Sequence, residues 1–203
     1  MGRALPFSPS ILDGMSIPAA FEADSYVLRR KFLKILGASF HVRDGSGNLL
    51  AFCAQKAFKL KEDIRVFEDE EKTKPLLTIQ ARQAIDFSAC YDIVDATSGV
   101  KVGAARRKGM KSILRDSWEV LDADDHVIDK LEEDSAGMAL ARRFLSNLIP
   151  QTFKLGGGAT FKQRFNPFIY SLEVSIHRGA EIDKRLLMGV ATLIAAIEGR
   201  QDS

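Results

Sequence analysis

The sequence predicts a mainly β (α+β) protein: a barrel or strongly curled antiparallel sheet with a hydrophobic helix at its centre. Two observations predict this fold. Four strand–turn–strand units follow one another at a nearly constant spacing, and the chain ends in a helical segment that is apolar on every side. At 203 residues, 46% of them hydrophobic, the chain can bury a sizeable core in one domain. We expect residues 25–203 to form that domain and residues 1–24 to form a loosely structured N-terminal arm.

Four acidic residues mark the predicted hairpin turns. Asp44, Asp69, Asp95 and Asp122 each follow a strand-like run and lie 25, 26 and 27 residues apart. Asp, Asn and Gly stabilise tight turns by bonding to their own backbone, so we interpret the four acids as corners of successive hairpins. The alternative is calcium binding, because the segment from Asp122 can be laid over an EF-hand loop. The sixth position of that loop should be Gly and is Val127 here, which favours the turn interpretation.

Two segments have helical character. Apolar residues recur at helical spacing across residues 134–148, and we expect this helix to lie outside the barrel. A second helix is predicted over residues 183–198, where residues 186–197 are twelve consecutive uncharged positions. A membrane span needs about 20 such residues, so this run is too short. A helix without a polar face has to be buried on all sides, and a sheet that closes around it achieves this.

Charge and cysteine usage narrow the function classes. A net charge of +2 is too small for nucleic-acid binding by bulk attraction. Cys53 and Cys90 lie in apolar strand-like runs, and we interpret both as reduced core residues rather than as a disulfide or a catalytic thiol. The N-terminal segment lacks the continuous apolar stretch of a secretory signal. We therefore expect a cytoplasmic location, with peripheral attachment to a membrane as an option.

One basic run is the best candidate for a binding site. If the run "RRKGMKSILR" ends one strand, turns at Gly109 and starts another, its cations could cluster at the barrel rim and attract anionic headgroups. The candidate residues for anionic ligands are Arg106, Arg107, Lys108, Lys111 and Arg115. The alternative is a solvated hairpin corner whose charges protect a strand edge. A second run, "RRKFLK" at 29–34, is less persuasive because its charges would occupy both faces of a strand.

Several segments, taken together, resemble a known family. Residues 91–134, "YDIVDATSGVKVGAARRKGMKSILRDSWEVLDADDHVIDKLEED", the hairpin "VRDGSGNLLAF" and the terminal "EIDKRLLMGVATLIAAIE" are similar to the LURP-one-related proteins. These share the tubby-like barrel with phospholipid scramblases. The resemblance implies a closed antiparallel barrel of about twelve strands around a hydrophobic helix. It also favours phospholipid binding, since tubby domains bind phosphoinositides. Scramblases carry an acidic calcium stretch before the last helix, and here only Glu173, Glu181 and Asp183 are acidic.

Motifs for catalysis are absent from the sequence. There is no phosphate loop, no Gly-x-Ser-x-Gly elbow, and no metal-ligand spacing among His41, His126 and His177. We therefore expect a protein that is not an enzyme and has no cofactor or metal. Three functions remain: a module that binds anionic phospholipid or another phosphorylated ligand, a structural or protein-interaction module, and scramblase-like lipid transport without calcium control.

Overall fold

The computed structural model describes residues 17–31, 38–55, 64–82, 89–107, 117–133, 152–164, 166 and 169–197. Two helices are present in these ranges, α1 (Ala19–Glu22) and α2 (Lys184–Ile197). Between them lie twelve strands: β1 (Ser25–Lys31), β2 (Ala38–Arg43), β3 (Leu49–Gln55), β4 (Ile64–Phe67), β5 (Pro75–Ala81), β6 (Cys90–Asp95), β7 (Lys101–Arg107), β8 (Ser117–Leu121), β9 (Val127–Glu133), β10 (Thr152–Leu155), β11 (Ala159–Arg164) and β12 (Ile169–Ile176).

The twelve strands form one closed antiparallel barrel. Each strand pairs with the next along the chain, and β1 closes the ring by pairing with β12 over its whole length, from Ser25 opposite Ser175 to Lys31 opposite Ile169. Closure leaves no edge strand whose backbone groups would need another partner. The predicted fold is confirmed, and so are the four predicted hairpins, which are β2–β3, β4–β5, β6–β7 and β8–β9.

Helix α2 fills the lumen of the barrel. Every residue from Leu186 to Ala196 is buried, as the predicted absence of a polar face requires. The helix and the wall approach closely: a Cβ atom on Gly189 would lie 2.7 Å from the Cγ2 atom of Ile93 on β6. The helix begins at Lys184, one residue after the predicted start, and the predicted last residue, Glu198, lies outside the described residues. A barrel filled in this way leaves little room for a ligand in its middle.

Alternation along β8 decides which side chains face the lumen. Trp118 and Val120 are buried in the core cluster with α2, while Glu119 lies on the outer face. Glu119 is nevertheless only 6% exposed, which the sequence did not predict. A residue on the neighbouring strand pairs with the Glu119 carboxylate and permits this burial. That residue belongs to the candidate site.

The N-terminal segment contributes to the core at its end. Helix α1 packs near the start of α2, with Ala20 only 2% exposed. The Lys184 Nζ atom donates hydrogen bonds to the Glu22 carbonyl oxygen and to Asp24 Oδ1, each at 2.7 Å. Residues 1–16 of the predicted arm and the predicted helix at 134–148 lie outside the described residues. Neither of the two helices in the described ranges combines the length and apolar character that crossing a membrane requires.

Candidate anion-binding end of the barrel

The two ends of the barrel carry different charge. Five turns lie at one end, at residues 44–48, 68–74, 96–100, 122–126 and 156–158, and they contain eight carboxylates and two lysines. We call this the acidic end. At the other end, β1 finishes with the basic residues 29–31, β7 with 106–107 and β11 with Arg164, whereas β9 finishes with the acidic residues 132–133. We call this the basic end.

The turn acids bind their own backbones. Asp44 Oδ1 accepts hydrogen bonds from the backbone N–H groups of Ser46 and Asn48, both at 2.8 Å. Asp69 accepts from the backbone N–H and the hydroxyl of Thr73 at 2.9 and 2.6 Å. The side-chain bond from Asn48 is the main cause that lowers the pKa of Asp44, and the bond from Thr73 plays the same role for Asp69. The interpretation of these acids as hairpin corners is confirmed at both positions.

The turn at 122–126 repeats this geometry and adds an ionic network. Asp122 Oδ1 accepts from the backbone N–H groups of Asp124 and His126, both at 2.9 Å. Asp125 accepts from Arg82, and it accepts from Lys101 at 2.6 Å. These side-chain bonds lower the pKa of Asp125 to about 2, with the bond from Arg82 as the larger cause.

Asp95 differs from the other corners because it anchors α2. Its Oδ1 atom accepts backbone hydrogen bonds from Thr97 and Ser98 at 2.9 and 3.0 Å. Its Oδ2 atom accepts from Arg185, in the first turn of α2, at 2.8 Å. Partial burial alone would raise the pKa of Asp95, but the bonds from Ser98 and Arg185 outweigh it and hold the pKa below its usual value. This corner therefore joins the wall of the barrel to the helix inside it.

At the basic end, the first candidate cation is already paired. Arg106 lies on the outer face, directly opposite Glu119 on β8. Its Nε and Nη2 atoms donate to Glu119 Oε2 at 2.9 and 2.6 Å. The pair accounts for the burial of Glu119, since a buried carboxylate needs a charged partner. Much of the charge of Arg106 is therefore balanced within the protein.

The second candidate cation, Arg107, lies on the opposite face of the same strand. It is the direct cross-strand neighbour of Trp118, which faces the lumen. The Arg107 Cζ atom lies 5.9 Å from the centroid of the Trp118 ring, within the range of a cation–π interaction. Tyr91 packs on the same indole, with the two ring centroids 6.2 Å apart.

The remaining basic residues of the two runs lie partly outside the described ranges. Lys108, Lys111 and Arg115 lie outside the described residues, between the end of β7 and the start of β8. In the second basic run, Arg29 is exposed while Arg30 is half-buried, with its Cζ atom 5.6 Å from the centroid of the Phe40 ring. Charges on both faces of β1 were predicted, and the structure confirms them for this pair.

The two cysteines lie in different environments. Both cysteines are free thiols. Cys53 is buried in the lumen, where burial raises its pKa to about 12 and its Sγ atom lies 3.7 Å from Thr192 Oγ1. The prediction that Cys90 is a core residue was wrong: Cys90 opens β6 opposite Arg106, on the outer face, and is half-buried. Among the described residues, no three His, Cys, Asp or Glu side chains are grouped to hold a metal ion.

Sequence reasoning missed the aromatic part of this end. The contact of Trp118 with Arg107 follows from the β7–β8 register, which local patterns do not specify. The available signal was the position of the single tryptophan of the chain, three residues after Arg115 at the end of the basic run.

Comparison with known proteins places the chain in a family. No curated protein and no solved structure matches it. The family model described as LURP-one-related matches residues 25–194, which is most of the chain and includes all twelve strands. The chain therefore belongs to the LURP-one-related family.

Proposed function

We propose that the chain is a non-enzymatic module that binds anionic phospholipid headgroups, or another phosphorylated ligand, at the basic end of its barrel. The observation that carries this proposal is the filled lumen. Because α2 occupies the centre, a ligand has to bind at an end or on the outer face. The acidic end would repel an anion, whereas β7 leads from Arg106 and Arg107 into Lys108, Lys111 and Arg115.

The five cations would not contribute equally to such binding. A basic side chain near an anionic membrane contributes about 1 kcal/mol. Arg106 would contribute less, because Glu119 already balances its charge over 2.6 Å. The attraction would come mainly from the three basic residues of the following segment, Lys108, Lys111 and Arg115. The eight carboxylates at the far end would turn that end away from the same membrane.

The side chains with nucleophilic or acid–base chemistry support a role in binding rather than catalysis. The Cys53 thiol is buried and stays protonated at neutral pH, since its pKa is raised to about 12. His177 is exposed, with its ring nitrogens 2.9 Å from the Gly157 carbonyl oxygen and 2.9 Å from Thr160 Oγ1. Both nitrogens are thus engaged within the protein.

Vesicle sedimentation tests the proposal. Vesicles of phosphatidylcholine alone are compared with vesicles that also contain phosphatidylserine, at increasing salt. We expect binding only to the anionic vesicles, weakening as salt screens the attraction. Replacing Lys108 and Lys111 with Gln should weaken that binding about tenfold or more, since two contributions of about 1 kcal/mol are removed.

A matched variant controls for the loss of charge. Replacing Lys72 and Lys74 with Gln removes the same charge from the β4–β5 turn at the acidic end. This variant should bind as tightly as the unmodified protein or more tightly. Binding that ignores lipid charge, or equal losses in the two variants, would show that the basic end is not the membrane-facing surface.

A further inference from the structure

The outer wall of the barrel carries basic side chains on four adjacent strands. Strand β1 pairs with β12 on one side and with β2 on the other, and β12 pairs with β11. Because side chains alternate along a strand, residues next to the lumen-facing ones point outward. The described outward side chains of these strands include one carboxylate, Glu173, and four basic residues, which are Arg29, Arg43, Lys162 and Arg164. We call this surface the basic wall.

The strand register brings the four cations of the basic wall together. Ser171 on β12 lies opposite Arg164 on one side and opposite Arg29 on the other. Since neighbouring strands are about 4.8 Å apart, the backbones that carry these two arginines lie about 10 Å apart. Lys162 lies about 7 Å from Arg164 along β11, and Arg43 lies about 7 Å from Arg29 on the diagonal between β1 and β2. The four side chains therefore share one continuous surface.

Most of the positive charge of the basic wall is not balanced by an acid. Arg29 and Lys162 are exposed and form no ion pair with any of the described residues. Arg43 donates a hydrogen bond to a backbone carbonyl oxygen of the next turn at 2.9 Å, which is a neutral partner. Arg164 is paired, since its Nη2 atom lies 2.6 Å from Glu173 Oε2. An anion that approaches this wall therefore meets an excess of positive charge.

The wall on the other side of the ring has a different charge arrangement. There, Lys101 lies 2.6 Å from Asp125, and Arg82 binds the same aspartate. Arg106 lies 2.6 Å from Glu119. Basic side chains on that wall thus have acidic partners, so the excess of positive charge on the outer surface belongs to the side formed by β11, β12, β1 and β2.

We propose that the basic wall lies against an anionic membrane, so that the protein binds with β12 towards the lipid and with its barrel axis tilted. This proposal rests on the proposed function and adds the side of the barrel to its surface. Arg29 and Arg164 connect the two surfaces, because they stand where β1 and β11 finish at the basic end. Binding at the end and along the wall at once requires the tilt.

The side chains of the basic wall fit lipid headgroups better than other anionic partners. The described outward side chains of its four strands include no Phe, Tyr or Trp, so single-stranded nucleic acid would find no ring on which to stack its bases. The exposed large hydrophobic residues of the described ranges lie elsewhere, at Ile17, Val100, Val127 and Ile128. The contact is therefore electrostatic and stays at the level of the headgroups.

A first variant removes the two unpaired cations with the greatest exposure. Arg29→Gln combined with Lys162→Gln should weaken binding to vesicles that contain phosphatidylserine about tenfold or more. The matched control is Arg65→Gln combined with Lys130→Gln, which removes one arginine and one lysine from β4 and β9, two strands beyond either edge of the wall. Its affinity for the same vesicles should change less than about threefold.

A second variant should bind more tightly. Glu173→Gln removes the carboxylate from the basic wall and leaves the charge of Arg164 unbalanced, so affinity should rise about threefold or more. Glu68→Gln removes a carboxylate from the acidic end and should change affinity less than about twofold. Because damage to the fold does not raise affinity, a gain with Glu173→Gln separates the membrane contact from a structural effect.

The outcomes separate this proposal from the broader one. If replacing Lys108 and Lys111 weakens binding while the Arg29 and Lys162 variant binds as tightly as its control, the wall is wrong and the basic end remains the binding surface. If no anionic vesicle binds, both proposals are wrong. Binding of polyuridylate that is lost in the Arg29 and Lys162 variant, without binding to vesicles, would identify nucleic acid as the occupant and overturn the membrane assignment.

Discussion

At the scale of single residues, arginines decide the character of both ends of the barrel. Arg185 at the acidic end joins Asp95 to the helix, and Arg106 at the basic end joins two neighbouring strands through Glu119. These pairs connect residues 90 and 13 positions apart. Arg107, on the opposite face of β7 from Arg106, lies over an aromatic ring at the rim. Neighbouring arginines of one strand thus have different environments, which strand alternation explains.

The Asp95–Arg185 pair predicts a pH-dependent stability. The pKa of Asp95 is lower in the folded protein than in the unfolded chain, so its stabilising effect is present above the unfolded pKa and is lost as pH falls through the folded pKa. Asp95→Asn should lower the free energy of unfolding by about 1–3 kcal/mol at neutral pH, and the difference should shrink in acid. Chemical denaturation at several pH values measures it.

The control for that experiment is Asp24→Asn. Asp24 also binds the first turn of α2, through Lys184, but its side chain is 78% exposed. Because exposed ion pairs contribute little, this change should cost less than about 1 kcal/mol. A loss at Asp95 no larger than the loss at Asp24, or one that does not change with pH, would contradict the anchoring role of Asp95.

At the scale of elements, the fit of α2 in the barrel depends on its close approach to β6. An added Cβ at Gly189 would lie within 3.0 Å of three Ile93 atoms, including Cγ2, which moves only if the stiff β-branched side chain leaves its χ1 rotamer or the strand shifts. Gly189→Ala raises helix propensity by about 1 kcal/mol, but overpacking costs about 1–3 kcal/mol. We therefore expect a net loss of about 1 kcal/mol in the free energy of unfolding.

A double-mutant cycle with Ile93→Ala isolates the steric contact. The second change removes the atoms that Gly189→Ala would strike, so the double variant should be more stable than the sum of the single effects predicts. Gly45→Ala is the control, since no atom lies within 4 Å of its added Cβ, and it should change stability by less than about 0.5 kcal/mol. Strictly additive effects at positions 93 and 189 would mean that the contact between the helix and β6 at these two residues is not tight.

The strands, hairpins and the buried helix were the most predictable features of the structure. Alternation and turn residues are local, so the hairpin around Asp44 and the shared face of Trp118 and Val120 could be predicted. The burial of α2 followed from its uniform apolar surface. The outer position of Cys90 was missed, because the start of β6 is not marked in the sequence and a shift of one residue reverses the face. The Arg106–Glu119 pair could not be predicted, since it needs the register of β7 against β8.

At the scale of the whole molecule, the barrel separates charge along its axis. The turns at one end are short and acidic, and they hold the start of α2. At the other end, β7 leads into the basic run that contains Lys108, Lys111 and Arg115. The dipole of α2 runs against this separation, because its positive end lies at the acidic end and its negative end points towards the basic end.

The orientation of the protein on a membrane tests the central claim most directly. An environment-sensitive dye is attached to a single cysteine at position 45, in an acidic-end turn, or at position 164, at the end of β11. Both labelled variants also carry Cys90→Ser, so that the dye does not react at position 90. Cys53 is left in place because it is buried. On adding vesicles with phosphatidylserine, we predict that the dye at position 164 moves to a less polar environment while the dye at position 45 does not change. A response at position 45 that equals or exceeds the response at position 164 would contradict the account.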